Sequence, residues 1–198
     1  WVIALSGDFR LDDAGEYERY YGAPHTAPRL LGEFVAGCPE LTRKALPGAD
    51  RISVPGCMAT AAILALAPLA AADLIEPEVQ VDARTGSSGG GRDEGLASSH
   101  AERSGALRIF APTGHRHEAE IRRHTGLEVR MTATGVEAVR GVQVICHART
   151  RTAVDERVIR TAYRERYADE PFVRLVAHRR GIHRYPDPKI LLGSNFCD

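Results

Sequence analysis

The sequence lacks the cysteine patterns of disulfide-rich or zinc-binding domains. Its four cysteines are Cys38, Cys57, Cys146 and Cys197. They are widely spaced and form no CxxC pair, which argues against a disulfide framework or a zinc knuckle. The spacing therefore predicts reduced thiols and a cytoplasmic protein.

Long hydrophobic segments are also missing. The longest apolar run, residues 58–72, is shorter than the roughly 20 residues that a membrane span needs, and it contains Pro68. No signal peptide, internal repeat or low-complexity linker is recognisable. We therefore expect no membrane contact, and the hydrophobic content of 43% is sufficient for a globular core.

The chain has no net charge, because 26 basic residues balance 26 acidic ones. The two halves nevertheless differ. Residues 1–100 carry 8 basic and 14 acidic residues, a net charge of −6, and residues 101–198 carry 18 and 12, a net charge of +6. A basic second half fits an anionic partner such as a phosphate compound or an acidic protein, and it fits an ordinary arginine-rich surface equally well. Nothing in the sequence indicates a nucleic-acid partner.

The hydrophobic pattern predicts an α/β protein in two parts. In residues 1–54 it predicts a buried strand at 1–6, a further strand at 49–54, and helices at 12–21 and 29–36. In residues 55–198 it predicts helices against a mixed or mostly antiparallel sheet. The helices there are 57–72, one that begins near residue 114, and 155–167, whose inner face we assign to Val158, Ile159, Ala162, Tyr163 and Tyr167. The strands are 78–85, 107–110, 127–133, 142–148 and 172–176, with a further strand at the end of the chain.

Cys57 is the first candidate for chemistry. The preceding Pro55-Gly56 turn delivers it to the start of an apolar, alanine-rich helix. The first turn of a helix has free N–H groups and a partial positive charge, which favour a thiolate and therefore a nucleophile. The alternative is a small hydrophobic side chain buried behind a turn.

Residues 86–92 form a glycine- and serine-rich loop after a predicted strand. Such a loop can bring backbone N–H groups and hydroxyls close to an anion. It can also be a plain surface loop.

The motif Gly114-His115-Arg116-His117 places two histidines at the start of a predicted helix. Histidine is the side chain best suited to exchange protons near neutral pH. The HxH spacing also permits a metal site, but no cluster of further ligands accompanies it, so we predict none.

Six motifs in this order resemble the N-acetyl-gamma-glutamyl-phosphate reductase family, whose members are relatives of aspartate-semialdehyde dehydrogenase. They are Leu5-Ser6-Gly7-Asp8-Phe9-Arg10-Leu11, Gly37-Cys38-Pro39-Glu40-Leu41, Pro55-Gly56-Cys57, Gly114-His115-Arg116-His117, Arg140-Gly141 and Gly193-Ser194-Asn195-Phe196-Cys197-Asp198.

In detail the chain looks more like the branch of lysine biosynthesis whose substrates are attached to a small acidic amino-group carrier protein. That branch has Cys-Met-Ala-Thr after Pro-Gly, as in residues 57–60. Residues 98–103 and 183–188 also resemble that branch. The stretches 89–92 and 195–198 look closer to the arginine branch. The resemblance thus leaves the two pathways open.

The resemblance implies a Rossmann-like NADP-binding domain, of which residues 1–54 are the trailing part, and a catalytic and dimerisation domain from residue 55 to 198. It implies that Cys57 captures an acyl phosphate as a thioester, that NADPH reduces the thioester to a semialdehyde, and that His117 transfers protons. It also implies a homodimer or homotetramer. The further site residues are Ser88 and Gly89 for the cofactor, and His115, Arg116, Arg140 and Asn195 for substrate or phosphate.

The family's glycine-rich cofactor loop has no counterpart in the sequence, nor does the helix that follows the Asn195 strand in the family. On this resemblance we expect residues 1–198 to be an internal piece that binds NADPH poorly on its own. A carrier with an acidic surface would need a basic docking face, and the candidates are Arg174, His178, Arg179, Arg180, His183, Arg184 and Lys189.

Two alternatives to an acyl-phosphate reductase of the lysine pathway remain open. One is the reductase of arginine biosynthesis, which acts on free N-acetyl-gamma-glutamyl phosphate. The other is a dimerisation module without turnover.

Overall fold

The computed structural model describes residues 1–91, 95–177 and 179–198, and it contains two β-sheets and six α-helices within those ranges. The strands are β1 (Val2–Ala4), β2 (Val35–Ala36), β3 (Arg51–Ser53), β4 (Ile75–Thr85), β5 (Leu107–Ala111), β6 (Glu128–Val136) and β7 (Val142–Thr150). The helices are α1 (Ala14–Tyr21), α2 (Pro39–Thr42), α3 (Cys57–Ala71), α4 (His100–Arg103), α5 (His117–Thr125) and α6 (Glu156–Tyr167). This arrangement confirms the predicted α/β class.

The first sheet is small and parallel, with the strand order β1-β3-β2. It agrees with the expected trailing part of a Rossmann-like domain. The burial expected for its first strand is wrong, because Trp1 is 99% exposed and Val2 and Ile3 are also exposed. The apolar side chains of β1 therefore have no covering layer in the described part of the chain.

The helix predicted over residues 29–36 is wrong. The chain forms only a short 3-10 turn at Pro28–Leu30, and Gly32 then takes a positive φ of 84° that ends the helical path. Phe34 stacks on Phe9 with 4.0 Å between the ring centres. The following strand β2 pairs with β3. Packing and strand pairing outweigh the local helical preference here.

The second sheet is mixed, with the strand order β5-β6-β4-β7. Strands β4 and β6 run parallel, β7 is antiparallel to β4, and β5 is antiparallel to β6. β4 therefore lies between β6 and β7, which are neighbours in sequence but not in the sheet. It starts at Ile75, earlier than predicted, because an irregularity between Ile75 and Val79 accommodates Pro77, which has no N–H to donate.

Helix α3 packs on one face of this sheet and forms the main core together with α5. Its alanines allow close approach of the helix to the sheet. The buried members of this core are Met58, Ala59, Ala62, Ile63, Leu66, Ala67, Ile75, Val79, Val81, Ala83, Ile121, Leu127, Val129, Met131 and Ala133. The start of α3 is thereby fixed relative to the ends of β4 and β6.

Two tyrosine hydroxyls of helix α6 donate hydrogen bonds to backbone carbonyls of α3. Pro68 lies inside α3 and has no N–H, so the carbonyl of Leu64 loses its intrahelical donor. The hydroxyl of Tyr167 donates to this carbonyl at 2.8 Å, and the hydroxyl of Tyr163 donates to that of Ala65 at 2.5 Å. The buried face of α6 agrees with the prediction except for Val158, which is 46% exposed.

The strand predicted at residues 172–176 is wrong. Only a single bridge pairs Val173 with Cys197 in this region. The two segments are joined there by backbone hydrogen bonds from Arg174 N–H to the carbonyl of Cys197 and from Cys197 N–H to that of Phe172, at 2.8 Å each. The buried carboxylate of Asp198 adds ion pairs with Arg174 and Arg179 at 2.7 Å each.

We predict that Tyr167→Phe destabilises the protein more than Tyr163→Phe does. The first change leaves the Leu64 carbonyl buried without a donor, at a cost of about 1–3 kcal/mol. The Ala65 carbonyl, in contrast, can still accept from the N–H of Leu69 within the helix. Urea unfolding of both variants measures the difference.

The same experiment in a Pro68→Ala background is the control, because the alanine restores the missing N–H group. The cost of Tyr167→Phe should then shrink to that of Tyr163→Phe. An unchanged cost would show that the hydroxyl does not substitute for the missing donor.

Candidate active site

Cys57 lies where the predicted nucleophile should lie, at the first position of α3. The N-cap residue Gly56 has no side chain to cap the helix, so the first amides of α3 have no side-chain partner from that position. The Cys57 side chain is exposed, whereas Cys38 is buried and Cys146 and Cys197 are partly buried. A nucleophile must be accessible, and the alternative of a buried hydrophobic cysteine is therefore wrong for Cys57.

His117 is the first residue of α5, and its ring is packed against the start of α3. A Cβ atom on Gly56 would collide with His117 Nε2, so only glycine leaves room for the imidazole beside Cys57. The φ and ψ of Gly56, −65° and 152°, are open to any residue, which means that space and not backbone conformation demands glycine.

The imidazole of His117 is neutral at physiological pH. Burial lowers its pKa from the ordinary 6.5 to about 2, and the neighbouring His115 and Arg116 act in the same direction. Its Nδ1 atom is buried and has no hydrogen-bond partner in the part of the chain that the structure describes. Because this pKa lies far below that of a thiol, the ring takes a proton from a thiol only while negative charge beside it stabilises the imidazolium.

Glu120 connects the two helix starts. Its Oε2 accepts the N–H of Gly56 at 2.7 Å, and its Oε1 lies 3.7 Å from His117 Nε2 and 3.4 Å from Arg10 Nη1. The carboxyl group is only 1% exposed, and this burial raises its pKa. Sequence reasoning missed Glu120, although its position three residues after His117 puts both on the same face of α5.

His115 and Arg116 precede α5 and complete the histidine cluster. His115 Nδ1 accepts the backbone N–H of His117 at 3.2 Å. Burial, followed by the charge of Arg116, lowers the pKa of His115 to about 4. The guanidinium of Arg116 lies over the ring of Tyr21, 5.8 Å from its centre.

One cleft of about 660 Å³ is lined by Cys57, His115, Arg116 and His117, and its size is typical of small-molecule sites. The ionisable side chains that line it are Arg10, Tyr20, Cys57, Arg103, Arg108, His115, Arg116 and His117. Four of them are arginines, and none of the described lining residues is a carboxylate. The cleft is therefore suited to anionic compounds.

The structure brings together five of the eight predicted site residues. Cys57, His115, Arg116, His117 and Gly89 all line the cleft. Ser88, Arg140 and Asn195 are exposed and are not among the described lining residues. Arg10 and Arg103 were not predicted to line the site, although both belong to stretches on which the resemblance was based.

Of the two possibilities left open for the loop at residues 86–92, the structure does not favour an anion site built from backbone amides, because five of its described N–H groups, including that of Gly91, donate to carbonyls of the protein. The N–H groups of Gly86, Ser87 and Ser88 donate to the carbonyls of Gly141, Ala138 and Val139, respectively, at 2.9–3.0 Å. The N–H of Gly89 donates back to Gly86. The loop is therefore tied to the β6–β7 connection. Arg92 lies outside the described residues.

The predicted basic docking face is smaller than expected. Arg174 and Arg179 both pair with Asp198, and His183 pairs with Asp187 at 2.9 Å. Arg180, Arg184 and Lys189 are exposed. His178 lies outside the described residues.

The described residues include no group of three or more His, Cys, Asp or Glu side chains placed to hold a metal ion. They also include no helix with the length and hydropathy of a membrane span.

Curated relatives match the whole chain. A protein of Natronomonas pharaonis named putative LysW-L-2-aminoadipate/LysW-L-glutamate phosphate reductase is 47% identical over 199 residues, which cover 100% of this chain and 57% of the relative. A protein of Deinococcus radiodurans named LysW-L-2-aminoadipate 6-phosphate reductase is 44% identical over 200 residues, 100% of this chain and 58% of the relative. The chain thus spans a little over half the length of these relatives.

Solved structures show the same fold at low sequence identity. An aspartate semialdehyde dehydrogenase from Francisella tularensis matches with a TM-score of 0.62 and 13% identity, over 85% of this chain and 61% of that chain. A probable aspartate-semialdehyde dehydrogenase from Pseudomonas aeruginosa matches with a TM-score of 0.60 and 19% identity, over 86% of this chain and 58% of that chain.

The family model described as semialdehyde dehydrogenase, dimerisation domain, matches residues 57–198, from the candidate nucleophile to the last residue. Since this match covers well over half of the sequence, the chain belongs to the semialdehyde dehydrogenase family.

Proposed function

We propose that this chain carries the catalytic half of an NADPH-dependent reductase that converts an acyl phosphate to a semialdehyde and releases phosphate. The balanced reaction consumes one acyl phosphate, one NADPH and one proton, and it yields one aldehyde, one NADP+ and one phosphate. The observation that carries the proposal is the exposed Cys57 at a helix start, packed beside the neutral imidazole of His117 in a cleft lined by arginines.

Cys57 is the nucleophile in this reaction. Its thiol proton passes to His117 once the anionic substrate is bound, because the negative charges of the substrate and of the developing thiolate stabilise the imidazolium. The sulfur then attacks the carbonyl carbon of the acyl phosphate. The C–O bond to phosphate breaks and a thioester remains on Cys57. The uncapped amides of the first turn of α3 are placed to stabilise the oxyanion that develops next to the sulfur.

His117 returns a proton when the thiohemiacetal on Cys57 collapses to the aldehyde. Proton transfer by such a positioned group contributes roughly 100- to 10,000-fold in rate. Glu120 fixes His117 and the start of α3 relative to each other, so it acts as a positioning residue. Arg10 and Arg116 supply positive charge for the substrate's phosphate.

The cleft also offers a place for the nicotinamide. Residues 5–7, which follow the parallel strand β1, and residues 89–91 all line the cleft. Ligands of parallel α/β sheets bind outside the carboxyl ends of the strands, and glycines leave room for a flat ring. When bound, NADPH supplies the hydride that reduces the thioester. NADP specificity and the contact to Gly89 are part of the proposal.

For the substrate we propose an L-2-aminoadipyl 6-phosphate or glutamyl 5-phosphate attached to a small acidic carrier protein. The names of the relatives from Natronomonas pharaonis and Deinococcus radiodurans support this choice. The exposed Arg180, Arg184 and Lys189 remain available to contact the carrier. The corresponding pathway is lysine biosynthesis, arginine biosynthesis or both, and the expected location is the cytoplasm.

We further propose a domain boundary between residues 54 and 55, so that the small parallel sheet belongs to the cofactor-binding domain. The family model that describes residues 57–198 as a dimerisation domain supports this division and a homodimer or a homotetramer.

We predict that turnover depends on Cys57 and favours the carrier-bound substrate. The assay follows phosphate-dependent reduction of NADP+ with carrier-bound aminoadipate semialdehyde and, separately, with N-acetyl-glutamate semialdehyde. It uses this chain and a chimaera that adds the segments of the Deinococcus radiodurans relative lying outside the match. Cys57→Ser should abolish turnover, and Cys146→Ser is the matched control.

Turnover of N-acetyl-glutamate semialdehyde alone would assign the protein to arginine biosynthesis. A folded chimaera that turns over neither substrate would favour the dimerisation module.

We predict that Gly56→Ala lowers turnover roughly 100-fold, because the new methyl group displaces the His117 ring and a shift of about 1 Å at a catalytic group has this effect. Gly48→Ala is the control, since nothing lies within 4 Å of a Cβ added at Gly48. Equal activity of the two variants would contradict the close contact.

We predict that His117 does not titrate between pH 5 and 8. Its folded pKa of about 2 lies below the ordinary 6.5, so the ring stays neutral until the pH falls far below the physiological range. The C2 proton shift of His117, assigned with His117→Asn, should stay constant over this interval. A midpoint near pH 6.5 would show that the ring is not buried as described.

A further inference from the structure

Arg103 is a buried cation in the wall of the cleft. It is the last residue of α4 and is only 7% exposed, and its Nη2 donates to the carbonyl of Thr85 at 2.6 Å and to that of Val136 at 3.0 Å. Thr85 ends β4 and Val136 ends β6, so Arg103 binds the carboxyl ends of two parallel neighbouring strands. Gly135 leaves it room, since a Cβ there would lie 2.9 Å from Nη2.

The charge of Arg103 has no carboxylate partner among residues 1–91, 95–177 and 179–198. Burying a charge without an opposite charge is costly, and two carbonyl dipoles compensate only part of that cost. Within the same ranges Nε and Nη1 make no hydrogen bond, and neither is sealed from solvent. Because Arg103 lines the cleft, these two nitrogens are available to a ligand there.

The surrounding wall offers few other donors. The amides of Gly86, Ser87, Ser88 and Gly89 are all bonded to carbonyls within the protein. Arg108 also lines the cleft, but it is exposed and donates to the carbonyl of Glu102 at 3.1 Å. Arg103 is thus the buried donor on the wall formed by the ends of β4 and β6.

We propose that Arg103 binds an oxyanion of the substrate, in the cleft that also contains Cys57. This inference rests on the proposed function and deepens it, because it gives the substrate an anionic group at the ends of β4 and β6. The oxyanion is the phosphate of the acyl phosphate or a carboxylate of the acyl chain. A guanidinium suits either group through charge-assisted hydrogen bonds.

The test compares two alkylating reagents at Cys57 in this chain. Iodoacetate and iodoacetamide react with the same sulfur, but only iodoacetate carries a carboxylate. The ratio of their rate constants therefore reports the positive charge that the cleft offers to an anion. Arg103→Gln should lower this ratio roughly tenfold while the iodoacetamide rate stays unchanged, since a charge-assisted hydrogen bond is lost. Arg103→Lys should retain most of the ratio.

Arg51→Gln is the matched control, because Arg51 pairs with Glu33 on the first sheet and does not line the cleft. An unchanged ratio in folded Arg103→Gln would overturn the proposal. Equal loss of both rates would also overturn it, because it would show a purely structural role for Arg103.

A second measurement does not need a reactive cysteine. Calorimetric titration of Cys57→Ser protein with inorganic phosphate and with glutarate should show binding of one of them, and the ligand that binds identifies the oxyanion. Adding Arg103→Gln should weaken that binding roughly tenfold, whereas Arg103→Lys should weaken it less. Failure of both ligands to bind Cys57→Ser protein would overturn the proposal. An inert Cys57 in the unsubstituted chain would instead count against the proposed function.

Discussion

The buried carboxylate of Glu120 holds the site together. It accepts the N–H of Gly56 at the start of α3, lies beside His117 at the start of α5, and pairs with Arg10 in the connection between β1 and α1. Because the Glu120 side chain is only 1% exposed, burying its carboxylate without these partners would cost folding free energy. Removing Glu120 would in turn leave its partners without their acceptor. The relative position of Cys57 and His117 follows from this arrangement together with the packing of α3 on the mixed sheet.

The electrostatics of the cleft follow from the same packing. Arginines line it, and burial keeps the two histidines neutral while the charge of Arg116 adds to that effect. An accessible thiol among positively charged side chains suits the anionic acyl phosphate of the proposed reaction. The charge difference between the halves of the sequence indicated an anionic partner only in a general way, and the cleft shows where four of the arginines lie.

Local signals in the sequence were sufficient for some elements and not for others. The Pro55-Gly56-Cys57 turn and the alanine-rich run after it predicted α3 correctly, because a buried helix of good helix formers needs little context. The short strand β2 was predicted as a helix, since its two-residue pairing with β3 depends on a distant partner. The strand expected at residues 172–176 is reduced to the single bridge between Val173 and Cys197, and that pairing likewise depends on a partner that is distant in sequence.

The amino-acid sequence by itself determined the α/β class, the candidate nucleophile Cys57, the histidine pair His115 and His117, and the order of motifs that reveals the family. These depend on residue type and short spacing, which a linear pattern retains. Only the tertiary structure decided that Arg10, Arg103 and Glu120 join the site while Arg140 and Asn195 do not line the cleft. The tertiary structure also shows that β4 lies between β6 and β7 in the mixed sheet. The physical reason is that these outcomes depend on which distant segments pack against each other, and that is set by burial and pairing across the whole chain rather than by neighbours in sequence.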